Sequence, residues 1–158
     1  MQYEFINVLK KIKQKFIVFL KQGITPNQLA MAVASGICIG IIPLLGTTSV
    51  LCIIAAFSFR LNMAAIQTVN YLIYPLQLLL FIPFLKIGAY IGKQEFNYCL
   101  SDITTMIYEH PWATIVHFFV INMYALLVWI IVAALLYGLL YTVLLKSFQI
   151  LTEAIQKK

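Results

Sequence analysis

Pro43-Leu44-Leu45-Gly46-Thr47-Thr48-Ser49 sits near the middle of a stretch, Gln22 through Phe59, that contains no Asp, Glu, Lys or Arg. At 1.5 Å per residue, one unbroken helix over that stretch would be about 57 Å long, against a hydrocarbon core of about 30 Å. Proline removes a backbone donor and glycine relaxes the chain, so the helix must stop or bend here. Thr47, Thr48 or Ser49 is placed to cap a second helix running toward Phe59. Two readings of the break stand side by side. It either lines a watery cavity, with the positive end of the second half-helix facing an anion, or forms a tight turn or kink with a structural role alone.

Working outward, two further uncharged stretches, Leu61 through Leu85 and His110 through Leu145, are also long enough to span a bilayer. The whole chain has 158 residues, 63% hydrophobic and only 10% charged. Soluble domains carry roughly 25% charged residues, so this composition predicts an all-α integral membrane protein. A cleaved secretion signal is not expected, because apolar segments recur to the end of the chain. Eleven basic against five acidic side chains give a net charge of +6.

The basic residues cluster at Lys10, Lys11, Lys13, Lys15 and Lys21, interleaved with Phe5, Ile6, Leu9, Ile12, Phe16, Phe19 and Leu20 at helical spacing. That pattern predicts a surface helix over residues 1–22, its rings in the headgroup boundary and its ammonium groups near anionic lipid on the cytoplasmic side. It does not suit a nucleic-acid groove. The expected organisation continues with interrupted or re-entrant helices over 23–92, a polar loop over 93–110, a long transmembrane helix over 111–146 and an amphipathic tail over 147–158.

Within the membrane region, Thr25-Pro26 reads as a cap followed by a first-turn proline. Gly36 and Gly40 form a small-residue ridge on one helical face, suited to close helix packing. Arg60 has two explanations, an interaction with the end of the preceding helix or contact with a phosphate group. Gln67, Thr68 and Asn70 place polar groups in an apolar run and are expected to face protein or water. Pro75 and Pro83 are expected to weaken the helix that carries them. Together, Thr47, Thr48, Ser49, Arg60, Gln67 and Asn70 are the candidate anion or lipid-headgroup residues, and Gly36, Gly40, Pro43, Gly46 and Pro75 the candidate break and packing positions.

Signatures of catalysis are sparse. No phosphate-gripping loop, serine elbow or metalloprotease pattern is present, and Asp102 and Glu109 lie in an ordinary polar loop. His110 and His117 lack a third ligand, Cys38, Cys52 and Cys99 form no close pair, and no metal, cofactor or disulfide is expected. The lysines of the tail favour an even number of crossings, with both termini in the cytoplasm.

Thr25-Pro26, Ala30, Gly36, Gly40, Pro43, Gly46, Arg60-Leu61-Asn62, Tyr74-Pro75-Leu76 and Gly88 resemble the bacterial membrane family catalogued as domain of unknown function 2062. The resemblance covers about residues 23–93. The family pattern usually has Asn before the later proline, where this chain has Tyr74. The resemblance implies a small multi-pass protein of the bacterial inner membrane and no accepted activity. Two functions fit that expectation: handling or transport of an anionic headgroup or polyprenyl phosphate, or a non-catalytic scaffold for an envelope-biosynthesis enzyme. A membrane-embedded enzyme is the third reading. A chain with so few helices is expected to act as a homo-oligomer.

Overall fold

A computed structural model describes residues 24–94, 105–106 and 108–156. The basic surface helix expected over 1–22, including Lys10, Lys11, Lys13, Lys15 and Lys21, lies outside the described residues, as does most of the polar loop. The described residues contain the helices α1 (Pro26–Gly40), α2 (Thr48–Ser58), α3 (Met63–Ile91) and α4 (Pro111–Gln156).

Local chemistry sets the helix ends. The Thr25 hydroxyl accepts from Gln28 N–H at 3.2 Å, and the Gln28 side chain accepts from Thr25 N–H at 3.2 Å, a capping box with Pro26 in the first turn. At the other end of α1, Ile41 N–H donates to Ile37 O and Ile42 N–H to Ile39 O, and Pro43 has no N–H with which to continue. Gly46 then turns the chain at a φ of +82°. The Asn62 side chain accepts from Ala65 N–H at 2.8 Å and caps α3.

Helices α2 and α3 end alike. Leu61 N–H donates to Ala56 O and Gln94 N–H to Ala89 O, both at 2.9 Å, closing the six-to-one bond of a Schellman turn. The left-handed residue of each turn is basic, Arg60 at φ 51° and Lys93 at φ 50°, where glycine is usual.

Contacts between helices give their directions. On α1, Gly36 lies against Ile66 and Val69, and Gly40 lies against Asn70 and Ile73, so α1 and α3 run parallel. Between them α2 returns, bringing Cys52 and Ala56 into one core with Leu29, Ala30, Val33, Ala65 and Ile66. Helix α4 runs opposite to α1. Tyr141 donates to the Asn27 side chain at 2.9 Å, Trp129 Nε1 to Cys38 O at 3.0 Å and Asn122 Nδ2 to Pro43 O at 2.8 Å. A second core, Phe84, Leu85, Ala89, Ile121 and Ala125, joins the later half of α3 to α4.

Pro75 and Pro83 do not interrupt α3, contrary to the weakening expected there; the helix runs through both. Each proline removes one intrahelical bond, whereas unwinding a turn would strand several backbone groups beside apolar surface with no polar partner. Likewise α4 continues as one helix of 46 residues through the segment read as a separate tail, a length of about 69 Å. Among the described residues, α3 and α4 are long and apolar enough to cross a membrane. Their outward surfaces are apolar: Leu79 is 71% exposed and Leu135 is 73% exposed.

Candidate headgroup site at the junction of α1 and α2

A helix that ends inside an apolar body leaves carbonyls at one end and N–H groups at the other without intrahelical partners. Here the two ends are treated differently. The carbonyls beyond α1 are taken by side chains from its neighbours. Gln77 of α3 is 1% exposed, and its Nε2 donates to Ile42 O at 2.9 Å and to Leu44 O at 3.3 Å. Asn122 of α4 serves Pro43 O from the other side.

The N–H end of α2 receives no such cover. Thr47 occupies the cap position, but its hydroxyl donates back to Leu44 O at 3.1 Å and makes no cap bond. Its helical backbone, at φ −94° and ψ −15°, turns the hydroxyl away from the first N–H groups, so the side-chain cap expected from Thr47, Thr48 or Ser49 is not formed by Thr47. The partial positive charge of that helix end stays open.

In front of it lies a pocket of about 290 Å³ lined by Gly46, Thr48, Ser49, Asn70, Tyr71 and Tyr74. Thr48 and Asn70 are buried, whereas Tyr71 and Tyr74 are exposed on the outer side. Asn70 is 3% exposed, and its Oδ1 has no hydrogen-bond partner. Gln67, one turn earlier, donates from Nε2 to Ser49 O at 2.9 Å, and its buried Oε1 is also unpartnered. A buried carboxamide without a partner costs free energy, which makes these two atoms the unexplained chemistry of the fold.

The structure therefore brings Thr48, Ser49 and Asn70 together in one pocket, with Gln67 bonded to Ser49 beside them. Arg60 stands apart from them, at the far end of α2, about 16 Å away along an eleven-residue helix. Pro75 is exposed next to Tyr74 on α3, and Gly36 and Gly40 are packed against that helix. Gln77, Tyr71 and Tyr74 were not singled out by the residue pattern as site positions. Gln77 carried the one available signal, an amide inside an apolar run.

Arg60 is held by backbone geometry as well as by charge. A side chain at positive φ costs roughly 1–2 kcal/mol, and a cation at a helix C-terminus returns about 0.3–1 kcal/mol. Arg60→Gly should thus match or exceed the wild-type melting temperature in detergent, while Arg60→Val should lose about 1–2 kcal/mol. Equal losses in both variants would show that the charge, not the turn, governs this position.

An all-α body with two helices fit to cross a bilayer, mostly apolar on its outer face and carrying a helix break with open N–H groups, defines a small helical membrane protein. The chain matches the family described as an uncharacterized protein conserved in bacteria (DUF2062) over residues 9–153, and it belongs to that family. No curated protein matches it, and no solved structure does.

Proposed function

We propose that this protein resides in the bacterial inner membrane and binds the phosphate-bearing headgroup of a lipid at the junction of α1 and α2, as a step in handling or moving that lipid. One observation carries the reading: the uncapped N-terminus of α2 opens, beside the unpartnered Asn70, into a pocket whose outer wall is Tyr71 and Tyr74. Backbone N–H groups and a helix dipole suit phosphate, and exposed rings suit the start of an apolar tail.

Helix lengths support one arrangement across the bilayer. Helix α3, with 29 residues, is about 43 Å long, which matches a bilayer of about 40–45 Å including headgroups. Helix α1, with 15 residues, is about 22 Å long, and its tip meets Gln77 at the midpoint of α3. The α1–α2 hairpin then enters from the cytoplasmic face, reaches mid-membrane and returns, while α3 and α4 cross. In that arrangement Arg60 is assigned to the cytoplasmic face and Lys93 to the opposite one, each near a phosphate plane.

Native mass spectrometry of the full chain released from nanodiscs of phosphatidylethanolamine and phosphatidylglycerol tests the site. The wild type should retain lipid, and Thr48→Val and Asn70→Leu should each weaken retention about tenfold, the worth of one lost hydrogen bond. Arg60→Ala should retain lipid as the wild type does, because it lies at the other end of α2. Retention that ignores both pocket substitutions would overturn the proposal.

A further inference from the structure

Helix α4 runs on past its neighbours. Tyr141 meets Asn27 at the start of α1, and the antiparallel α4 continues from there to Gln156, an extension of about 22 Å. Neither α2 nor α3 accompanies it. Gly36 lies against Ile66 and Val69, so α3, which begins at Met63, starts level with the second turn of α1, and α2 ends beside that start.

The extension is nonetheless shielded along one side. Phe148 is 6% exposed and belongs to the first core, Leu144 and Leu145 pack against that core, and Leu151 and Thr152, a further turn out, are half-buried. On the opposite side Ser147, Gln149, Ile150, Glu153 and Ala154 are exposed. A helix standing alone has no covered side, so Leu151 and Thr152 have a cover that α1, α2 and α3 do not supply. Such a cover also explains why the extension stays helical, since isolated helices shorter than about 12–15 residues are marginal.

The spacing names the cover. Tyr141, Leu145, Phe148 and Thr152 step by four, three and four residues, the seam of a helix that takes one partner helix. Residues 1–22 carry the counterpart, Phe5, Leu9, Ile12, Phe16 and Phe19, which step by four, three, four and three. Their place in the chain fits as well. They lead through Gly23 to Ile24, which packs against the same core at the foot of the extension. As a helix they would measure about 33 Å, enough to run its whole length.

We propose that residues 1–22 pack as a helix antiparallel to the extension of α4, with Phe16, Phe19 and Leu20 against Phe148, Leu151 and Thr152 and with the lysines turned outward. The rings then lie in a helical pair that stands off the end of the body where α1 begins, instead of in the lipid headgroups. The apolar face of the segment is taken by α4, and its ammonium groups are left on the outer surface of the pair.

Cysteine cross-linking of the full chain, in membranes isolated from expressing cells, tests the pairing. The register set by Tyr141 and Asn27 brings Phe16 opposite Thr152. Phe16→Cys combined with Thr152→Cys should form a disulfide within one chain. Gln14→Cys, on the reverse face two residues away, should form none with the same partner, and the single variants control for the native cysteines. Hydrogen exchange gives a readout without added thiols. Phe16→Asp combined with Phe19→Asp should speed exchange at residues 147–154 about tenfold, while the amides of α1 keep their protection.

Cross-linking that ignores the face of the segment, disulfides formed between chains instead of within one, or unchanged α4 exchange in the aspartate variant would overturn the proposal. Neither readout involves the pocket between α1 and α2, so the inference stands or falls apart from the headgroup site.

Discussion

Replacing Gly88 by alanine should force α3 and α4 apart and lower stability by about 3 kcal/mol, the upper part of the range for adding a methyl group to a packed core. A Cβ at Gly88 would stand 2.6 Å from Ala125 N and 2.8 Å from Ile121 O. Both are backbone atoms of α4, so no rotamer change relieves the clash and a whole helix must shift. The surrounding core of Phe84, Leu85, Ala89, Ile121 and Ala125 would open with it. In a lipid environment such packing, more than water exclusion, holds helices together. Two other glycines calibrate the result. Gly92→Ala should cost less, because the closest atoms to its Cβ, at 2.6 and 2.8 Å, belong to the Tyr124 ring, which can swing, and the backbone atom it meets, Gly88 O, is 3.3 Å away. Gly138→Ala should cost nothing, since no atom lies within 4 Å and alanine favours the helix. Thermal unfolding in one detergent, followed by tryptophan fluorescence, ranks all three, and a Gly88→Ala melting temperature equal to that of Gly138→Ala would refute the close crossing.

How much of this was legible in the residues depends on the range of each signal. The Thr25-Pro26 helix start is local chemistry, and Thr25 bonds within three residues of itself, so sequence reaches it. The break after Gly40 is nearly as local, because Pro43 and Gly46 are read directly from the chain. What a polar residue in an apolar run cannot reveal is its partner. Gln67 and Asn70 were expected to face protein or water; Gln67 reaches back 18 residues to Ser49, while Asn70 Oδ1 finds no one. Asn122, an amide in the last uncharged stretch, reaches 79 residues back to Pro43. Pro75 carries a strong local preference that the surroundings override, since an apolar exterior offers nothing to an unwound turn. Arg60 sits in a turn that favours glycine, so no local rule points to its backbone. Its separation from Thr48 and Asn70 follows simply from the length of α2.

Gln77→Leu should cost about 1–3 kcal/mol, because one substitution of nearly equal volume leaves Ile42 O without its donor, whereas Leu44 O keeps the Thr47 hydroxyl at 3.1 Å. Leucine fills the space that Gln77 leaves, so the loss isolates the hydrogen bonds from the packing. Asn122→Leu should cost about as much, since it likewise leaves one carbonyl, Pro43 O, without its donor. The two amides grip opposite sides of one turn, and once either is gone the turn can relax toward the other. The double variant should therefore fall short of the sum of the singles by about 0.5–3 kcal/mol, the range for residues that share a structural unit. Because the same turn aims the open end of α2, Gln77→Leu should also weaken lipid retention while every pocket residue remains in place. A Gln77→Leu protein with wild-type melting temperature and wild-type lipid retention would mean that water satisfies the carbonyls beyond α1, and that the junction is wetter on its inner side than Gln77 and Asn122 imply.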